Sequence, residues 1–147
     1  MSTEKQPLVK QYQPKTLDDI VGHKEIVCIL KSWVVNFKQG KFDFPNLLLA
    51  GPAGVGKTAT VTALAKDLFG EDYRMSFLDF NASDERGIDF IRDKIKSLAK
   101  TKPSYGINII FLDEADNLTH DAQFALRRIM EDHTATTRFI LSCNWPN

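Results

Sequence analysis

The sequence has 147 residues, of which 43% are hydrophobic and 26% are charged. This length corresponds to a single domain, and this composition excludes a disordered, collagen-like or disulfide-scaffold chain. Basic and acidic residues each number 19, so the formal net charge is zero. Overall charge therefore predicts no nucleic-acid or membrane partner, and any such site requires local clustering of basic residues.

The two cysteines, Cys28 and Cys143, are far apart and fit no metal-binding spacing. Because both lie among apolar residues, we predict two reduced thiols in the core of a cytosolic protein. The first ten residues are polar and contain no signal peptide, and the longest apolar runs are too short to cross a bilayer. We therefore expect a soluble intracellular chain with no membrane partner.

The first half of the chain predicts a helix, a strand and a second helix. Residues 1–8 are expected to form a flexible lead-in. Helical periodicity begins near His23 and ends before Gly40. Its predicted inward face comprises Ile26, Ile29, Leu30, Trp33, Val34 and Phe37. The apolar run 47–50 predicts a short buried strand, and a second helix is predicted from about Lys57 to Phe69, with Gly70 as its stop.

The second half predicts three more strands and two more helices. Strands are expected near 76–80, 107–112 and 138–143, and the second of these reads as buried on both faces. A third helix carries Ile88, Ile91, Ile95 and Leu98 on one face, with Ser83 or Asp84 as its N-cap. A fourth helix is expected over about 121–131. Strands that alternate with helices predict an α/β fold with a mostly parallel sheet.

A glycine-rich turn between the first strand and the second helix matches the pattern G-x-x-x-x-G-K-S/T. The match is Gly51-Pro52-Ala53-Gly54-Val55-Gly56-Lys57-Thr58. Glycines let several backbone N–H groups face one concavity, and the helix N-terminus adds its positive dipole end. We expect Lys57 to reach the β- and γ-phosphates of a nucleotide and Thr58 to ligate Mg²⁺. The alternative is a structural βα turn with a chance lysine.

Two carboxylates follow the buried strand 107–112. An acid at this position, far downstream of a phosphate loop, is where Mg²⁺ is held, which assigns Asp113 to the metal. Glu114 can polarise an attacking water, which favours hydrolysis over transfer to a small acceptor. The alternative is a pair of acids that cap the next helix. Asp116 reads as solvated or structural.

Together these residues resemble the AAA+ ATPases and, within them, the clamp-loader small subunits of archaeal and eukaryotic replication factor C. The resemblance is carried by residues 12–23, 51–58, 81–89, 111–116, 123–128 and 138–144. The phosphate loop alone is generic. The segment Asn81-Ala82-Ser83-Asp84-Glu85-Arg86-Gly87 and the triplet Leu126-Arg127-Arg128 narrow the match to replication factor C.

The resemblance implies a three-layer P-loop NTPase (AAA+) core over residues 9–147. It implies that the chain is truncated before the last core strand, the helical lid and the arginine finger, with an exposed strand edge at 47–49. Asn144 then corresponds to the first sensor, which contacts the γ-phosphate or the attacking water. The adenine pocket is assigned to Val9, Tyr12, Val21 and Gly22. Gln13 stands where the family usually has arginine, which puts nucleotide affinity or a subunit contact in question.

The resemblance also implies partners. Arg86 and Arg92 are assigned to the backbone of primer–template DNA, against the alternative of a solvated helix face paired with Asp89 and Asp93. Arg127 and Arg128 face either DNA or a neighbouring subunit. Other expected partners are further replication factor C subunits and the sliding clamp. The expected location is the cytoplasm if the source is archaeal and the nucleus if it is eukaryotic.

The sequence thus predicts a Mg²⁺-dependent ATPase that opens and loads a sliding clamp during DNA replication, with Lys57, Glu114 and Asn144 as catalytic residues. Turnover by the chain alone is expected to be weak or absent, because an arginine finger acts between subunits: this chain supplies none, and only a neighbour can donate one to it. Three alternatives remain. They are another AAA+ DNA motor such as a Holliday-junction helicase, a P-loop small-molecule kinase, and a nucleotide-binding or subunit-interaction module without turnover.

Overall fold

A computed structural model describes residues 16–20, 22, 24–41, 43–51, 56–100, 103 and 105–144. The strands are β1 (Leu47–Ala50), β2 (Phe77–Asn81), β3 (Asn108–Asp113) and β4 (Thr137–Cys143). The helices are α1 (Lys24–Lys38), α2 (Lys57–Phe69), α3 (Gly87–Ala99) and α4 (His120–Asp132). Short 3-10 helices occupy Leu17–Asp19, Gly70–Met75 and Ala115–Asn117.

The four strands form one parallel sheet in the order β1-β4-β3-β2. Helices cover both of its faces, which confirms the predicted α/β fold with a parallel sheet. Side chains alternate along each strand, so β3 contributes to two cores. Ile109 and Phe111 pack with α1 and α2, whereas Ile110 and Leu112 pack with α3 and α4. The predicted burial of this strand on both faces is therefore confirmed.

Glycines set the two ends of α2, as the sequence predicts. Gly56 precedes the helix with φ 81°, and Gly70 follows it with φ 75°. Residues other than glycine rarely adopt a positive backbone φ of this size. The inward residues Val61, Leu64, Ala65 and Leu68 are all buried.

The interpretation of 47–50 as a buried strand is wrong. β1 lies at the edge of the sheet, with no strand on its outer side in the described part of the chain. Leu48 is 66% exposed in consequence. The exposed strand edge at 47–49 that the resemblance to replication factor C implies agrees with this arrangement. An unpaired edge of this kind presents free backbone groups to other chains.

The predicted inward face of α1 is wrong at two positions. Ile26 and Ile29 are about half exposed, and the buried residues are Val27, Leu30 and Val34. Ile26 lies with Leu48 in an open groove of about 210 Å³ beside the sheet edge. Because no further strand covers this edge within the described residues, one side of the first turns of α1 stays exposed while Val27 and Leu30 pack into the core.

Two smaller predictions are also corrected. Neither Ser83 nor Asp84 is the N-cap of α3, which begins at Gly87. Asn81 and Asp84 accept the N–H groups of Ser83 and Arg86 instead, so this segment forms turns before the helix. Cys28 is exposed rather than in the core, and Cys143 is half-buried; both are free thiols. Of the helices that the structure describes, none has the length and apolar content needed to cross a membrane.

Candidate functional site

The predicted chemical groups meet at the carboxyl edge of the parallel sheet. β1 leads through Gly51 to the loop before α2, β3 ends at Asp113, and β4 leads to Asn144. The carboxyl ends of parallel strands share one edge, where open α/β sheets bind ligands. The first turn of α2 points its free N–H groups at the same place. Three segments that are distant in sequence therefore form one site.

Lys57 links the phosphate-loop segment to the end of β4. Its Nζ donates to the carbonyl oxygen of Gly51 at 2.7 Å and to that of Cys143 at 2.8 Å. Asn144 Oδ1 lies 3.4 Å from the same nitrogen. The Gly51 N–H donates to the Cys143 carbonyl as well, at 3.3 Å. The structure therefore brings Lys57 and the predicted sensor together across 87 positions of sequence.

Thr58 and Asp113 form the candidate magnesium site. The Thr58 hydroxyl donates to Asp113 Oδ2 at 3.1 Å, and the other carboxylate oxygen accepts the N–H of Glu114 at 2.9 Å. Hydroxyl and carboxylate oxygens are the ligands that Mg²⁺ prefers, usually with waters and phosphate oxygens completing the shell. The chemistry of these two side-chain oxygens and the short distance between them therefore fit Mg²⁺.

Glu114 has an unusual backbone and two side-chain partners. Its φ is 55°, the one positive value of a residue other than glycine in the described chain. The Ser83 hydroxyl donates to Glu114 Oε2 at 3.0 Å, and Asn117 Nδ2 lies 3.3 Å from the same oxygen. Asn117 Nδ2 also donates to Ser83 Oγ at 2.8 Å. Side-chain contacts and backbone together orient the Glu114 carboxylate.

The sequence did not identify Ser83 and Asn117 as partners of Glu114. Ser83 belongs to the 81–89 segment, where the sequence predicts only a possible helix N-cap and a resemblance to replication factor C. Asn117 lies three residues after Glu114, a spacing that brings side chains together in a helical turn. This spacing is the sequence signal that could have identified Asn117 as a partner of Glu114. The 3-10 helix Ala115–Asn117 provides the turn that brings the two side chains together.

The two arginines assigned to DNA are both already paired; Arg86 is exposed and Arg92 is half-buried. Arg86 donates from both Nε and Nη2 to the Asp84 carboxylate, at 3.0 and 2.7 Å, and its guanidinium lies 3.8 Å over the Phe90 ring. Arg92 donates to Asp89 at 3.1 Å, which is the pairing that the solvated-face alternative predicts. Hydrogen bonds from the Arg86 side chain, and then from its N–H, lower the pKa of Asp84 to about 2.

Replacing Arg86 with glutamine is expected to raise the pKa of Asp84 from about 2 towards its ordinary value of about 3.9. The folded-state pKa lies below the unfolded value, so this carboxylate stabilises the fold above about pH 4. That contribution is lost as the pH falls towards 2. A carbon-detected NMR titration of Asp84 measures the change. Arg92→Gln is the matched control, and a pKa that stays near 2 in Arg86→Gln contradicts the assigned cause.

Several predicted site residues lie outside the described part of the chain: Val9, Tyr12, Val21 and the loop residues Pro52, Ala53, Gly54 and Val55. Gly22 is described and is exposed, with φ 83°. The adenine pocket therefore stays a prediction.

A parallel sheet with a G-x-x-x-x-G-K-T turn before α2 and an acid at the end of β3 defines a P-loop NTPase. The comparison with protein families places the chain more closely. The model described as "ATPase family associated with various cellular activities (AAA)" matches residues 47–147. The chain belongs to this AAA family.

Among curated proteins, the chain is similar to archaeal replication factor C small subunits. It is 56% identical to that of Natronomonas pharaonis over 138 residues, which cover 93% of this chain and 41% of that protein. It is 55% identical to that of Archaeoglobus fulgidus over 139 residues, or 93% and 42% of the two chains. The chain thus spans about two-fifths of the length of these relatives.

Among solved structures, the chain is similar to the RuvB Holliday junction branch migration motor of Thermotoga maritima. The TM-score is 0.65 at 18% identity, with 90% of this chain and 42% of that chain covered. At this identity the likeness shows the fold alone, and it confirms the P-loop NTPase architecture.

Proposed function

We propose that this chain is the ATP-binding and ATP-hydrolysing module of a clamp loader, which opens a sliding clamp and loads it on primer–template DNA. The observation that carries the ATPase part is the meeting of Lys57, Thr58, Asp113 and Glu114 at one sheet edge. The clamp-loader part is supported by the similarity to replication factor C small subunits.

Lys57 and the start of α2 bind the triphosphate in this proposal. Lys57 contacts neutral oxygens of Gly51, Cys143 and Asn144, and the first two of these hydrogen bonds are short. Anionic phosphate oxygens are stronger acceptors for the Lys57 ammonium, because attraction between opposite charges adds to the hydrogen bond. Nucleotide binding therefore replaces these contacts with better ones and leaves Asn144 beside the γ-phosphate.

Thr58 and Asp113 are proposed to hold Mg²⁺ through their side-chain oxygens. When bound, the ion neutralises negative charge on the β- and γ-phosphate oxygens. Glu114 follows Asp113 directly and is proposed as the base, because its carboxylate can accept a proton from the attacking water. Asn144 orients that water or the γ-phosphate, and Ser83 and Asn117 set the direction of Glu114.

The proposed function also involves partners of this chain. Neighbouring subunits supply an arginine finger, which contributes about 10³- to 10⁵-fold in rate where it acts. We therefore propose that the chain alone hydrolyses ATP weakly. Arg86 and Arg92 contact the DNA backbone without sequence preference, and for this each must exchange its carboxylate partner for a phosphate.

Calorimetry of Mg–ATP binding to this chain tests the ATPase part. Lys57→Ala is expected to weaken binding by about tenfold or more, because a hydrogen bond to a charged group contributes roughly 1.5–3 kcal/mol. Lys66→Ala is the matched control: it lies on the same helix and contacts the Tyr73 ring rather than the site. Equal affinities of the Lys57→Ala and Lys66→Ala variants contradict the proposed phosphate site.

A further inference from the structure

The 3-10 helix Leu17–Asp19 is bonded to both helices that cover one face of the sheet. The Leu17 N–H donates to Oδ2 of Asp67, in the last turn of α2, at 3.1 Å and across 50 positions of sequence. The Lys31 ammonium of α1 donates to the Asp18 carboxylate. The Leu17 side chain is fully buried in the core that contains residues of α1 and α2. The structure therefore holds this segment at Leu17 through its backbone and its side chain.

Asp67 is a half-buried carboxylate that the proposed ATPase cycle does not use. Hydrogen bonds from an N–H to a carboxylate are stronger than those between neutral groups. An N–H that loses its acceptor at a part-buried position is left unsatisfied, which is unfavourable. Removing the carboxylate is therefore expected to release Leu17 from the end of α2.

Residues 18–25 connect this anchor to the phosphate-binding end of α2. Ile26, in the first turn of α1, lines an open groove of about 210 Å³ together with Lys57 and Thr60 of α2. Lys57 begins α2 and Asp67 lies in its last turn, so about 15 Å of helix separates them. The span 18–25 therefore leads from one end of α2 to the other.

We infer that Asp67 is a positioning residue for the base of the bound nucleotide. Two residues assigned to the adenine pocket, Val21 and Gly22, belong to the span that Asp67 anchors, whereas Lys57 is proposed to bind the phosphates at the other end of α2. A span without this anchor has to be ordered when the nucleotide binds, and that ordering lowers the affinity. The effect is confined to the base, because about 15 Å of helix separates Asp67 from Lys57. This inference rests on the proposed ATP site and deepens it.

Calorimetry with two ligands tests the inference: Mg–ATP, and Mg–tripolyphosphate, which carries the phosphates without a base. Asp67→Ala is expected to weaken Mg–ATP binding about fivefold or more, the equivalent of one hydrogen bond, and to leave Mg–tripolyphosphate binding unchanged. Asp67→Asn keeps an oxygen that can accept the Leu17 N–H and is expected to restore most of the affinity. Asp72→Ala is the matched control, because it removes an exposed carboxylate from the adjoining 3-10 helix Gly70–Met75.

Amide hydrogen exchange of the unmodified chain tests the same coupling without a variant. Coupling between two sites is reciprocal. If a fixed Leu17 favours base binding, base binding must therefore favour the fixed Leu17. Mg–ATP is expected to slow exchange of the Leu17 N–H by about fivefold or more, the same factor as the loss of affinity in Asp67→Ala. Mg–tripolyphosphate is expected to leave this exchange rate unchanged.

Three results overturn the inference. The first is an equal loss of Mg–ATP and Mg–tripolyphosphate affinity in Asp67→Ala, which assigns Asp67 a general structural role. The second is unchanged Mg–ATP affinity in that variant, and the third is unchanged exchange of the Leu17 N–H when Mg–ATP binds. Failure of the proposed ATPase function is recognised separately, because the unmodified chain then binds neither ligand, and the inference falls with it.

Discussion

Replacing Glu114 with glutamine is expected to lower ATP turnover by about 10²- to 10⁴-fold, the usual contribution of a general base, while Mg–ATP binding is retained. The amide keeps the size and hydrogen-bonding capacity of the side chain but cannot take a proton from water. Ser83 can still donate to the amide oxygen, so the local structure persists. The measurement is hydrolysis of radiolabelled ATP under single-turnover conditions with protein in excess.

Asp116→Asn is the matched control for this experiment. It makes the same change of carboxylate to amide two residues further on, at an exposed position in the 3-10 helix Ala115–Asn117. Turnover in this control is expected to equal that of the unmodified chain. Equal turnover in Glu114→Gln removes Glu114 from the role of base. Loss of Mg–ATP binding in Glu114→Gln instead assigns this residue to nucleotide or metal binding.

Replacing Phe139 with alanine is expected to lower the free energy of unfolding by about 3–5 kcal/mol, the usual cost of removing a buried phenylalanine. Phe139 is 1% exposed in β4 and packs between the sheet and the helices α3 and α4. A small domain has a total stability of about 5–15 kcal/mol, so this variant is expected to lose a large part of it. Urea denaturation measures the loss as a lower midpoint with an unchanged slope.

Phe124→Ala is the matched control for the stability measurement. It removes the same side chain from α4, where the ring is 66% exposed, and surface changes of this kind usually stay within about 0.5 kcal/mol. Because both variants remove the same side chain, a difference in their free energies of unfolding reports the effect of burial alone. An equal loss of stability in both places Phe124 in a packed environment.

Individual helices and strands could be predicted from the sequence, because apolar periodicity and flanking glycines lie within each element itself. α2 lies where its flanking glycines and apolar stripe place it, from Lys57 to Phe69. β3 is buried on both faces, as its continuous apolar run predicts. The closeness of Thr58 and Asp113 was also predictable, since a phosphate loop and an acid after a later parallel strand share one edge of the sheet.

The exposed edge of the sheet and the partners of Glu114 could not be predicted, because they depend on strand order and on contacts between distant segments. Because β4 and not β1 pairs with β3, β1 lies at the edge and Leu48 and Ile26 are exposed. Apolar periodicity reports which side chains share a face, but it does not report which strand is the neighbour. The contact of Ser83 with Glu114, 31 positions apart, depends on the pairing of β2 with β3 in the same way. Local sequence patterns thus predict the elements and the candidate site residues, whereas strand order and long-range contacts set the sheet edge and the orientation of Glu114.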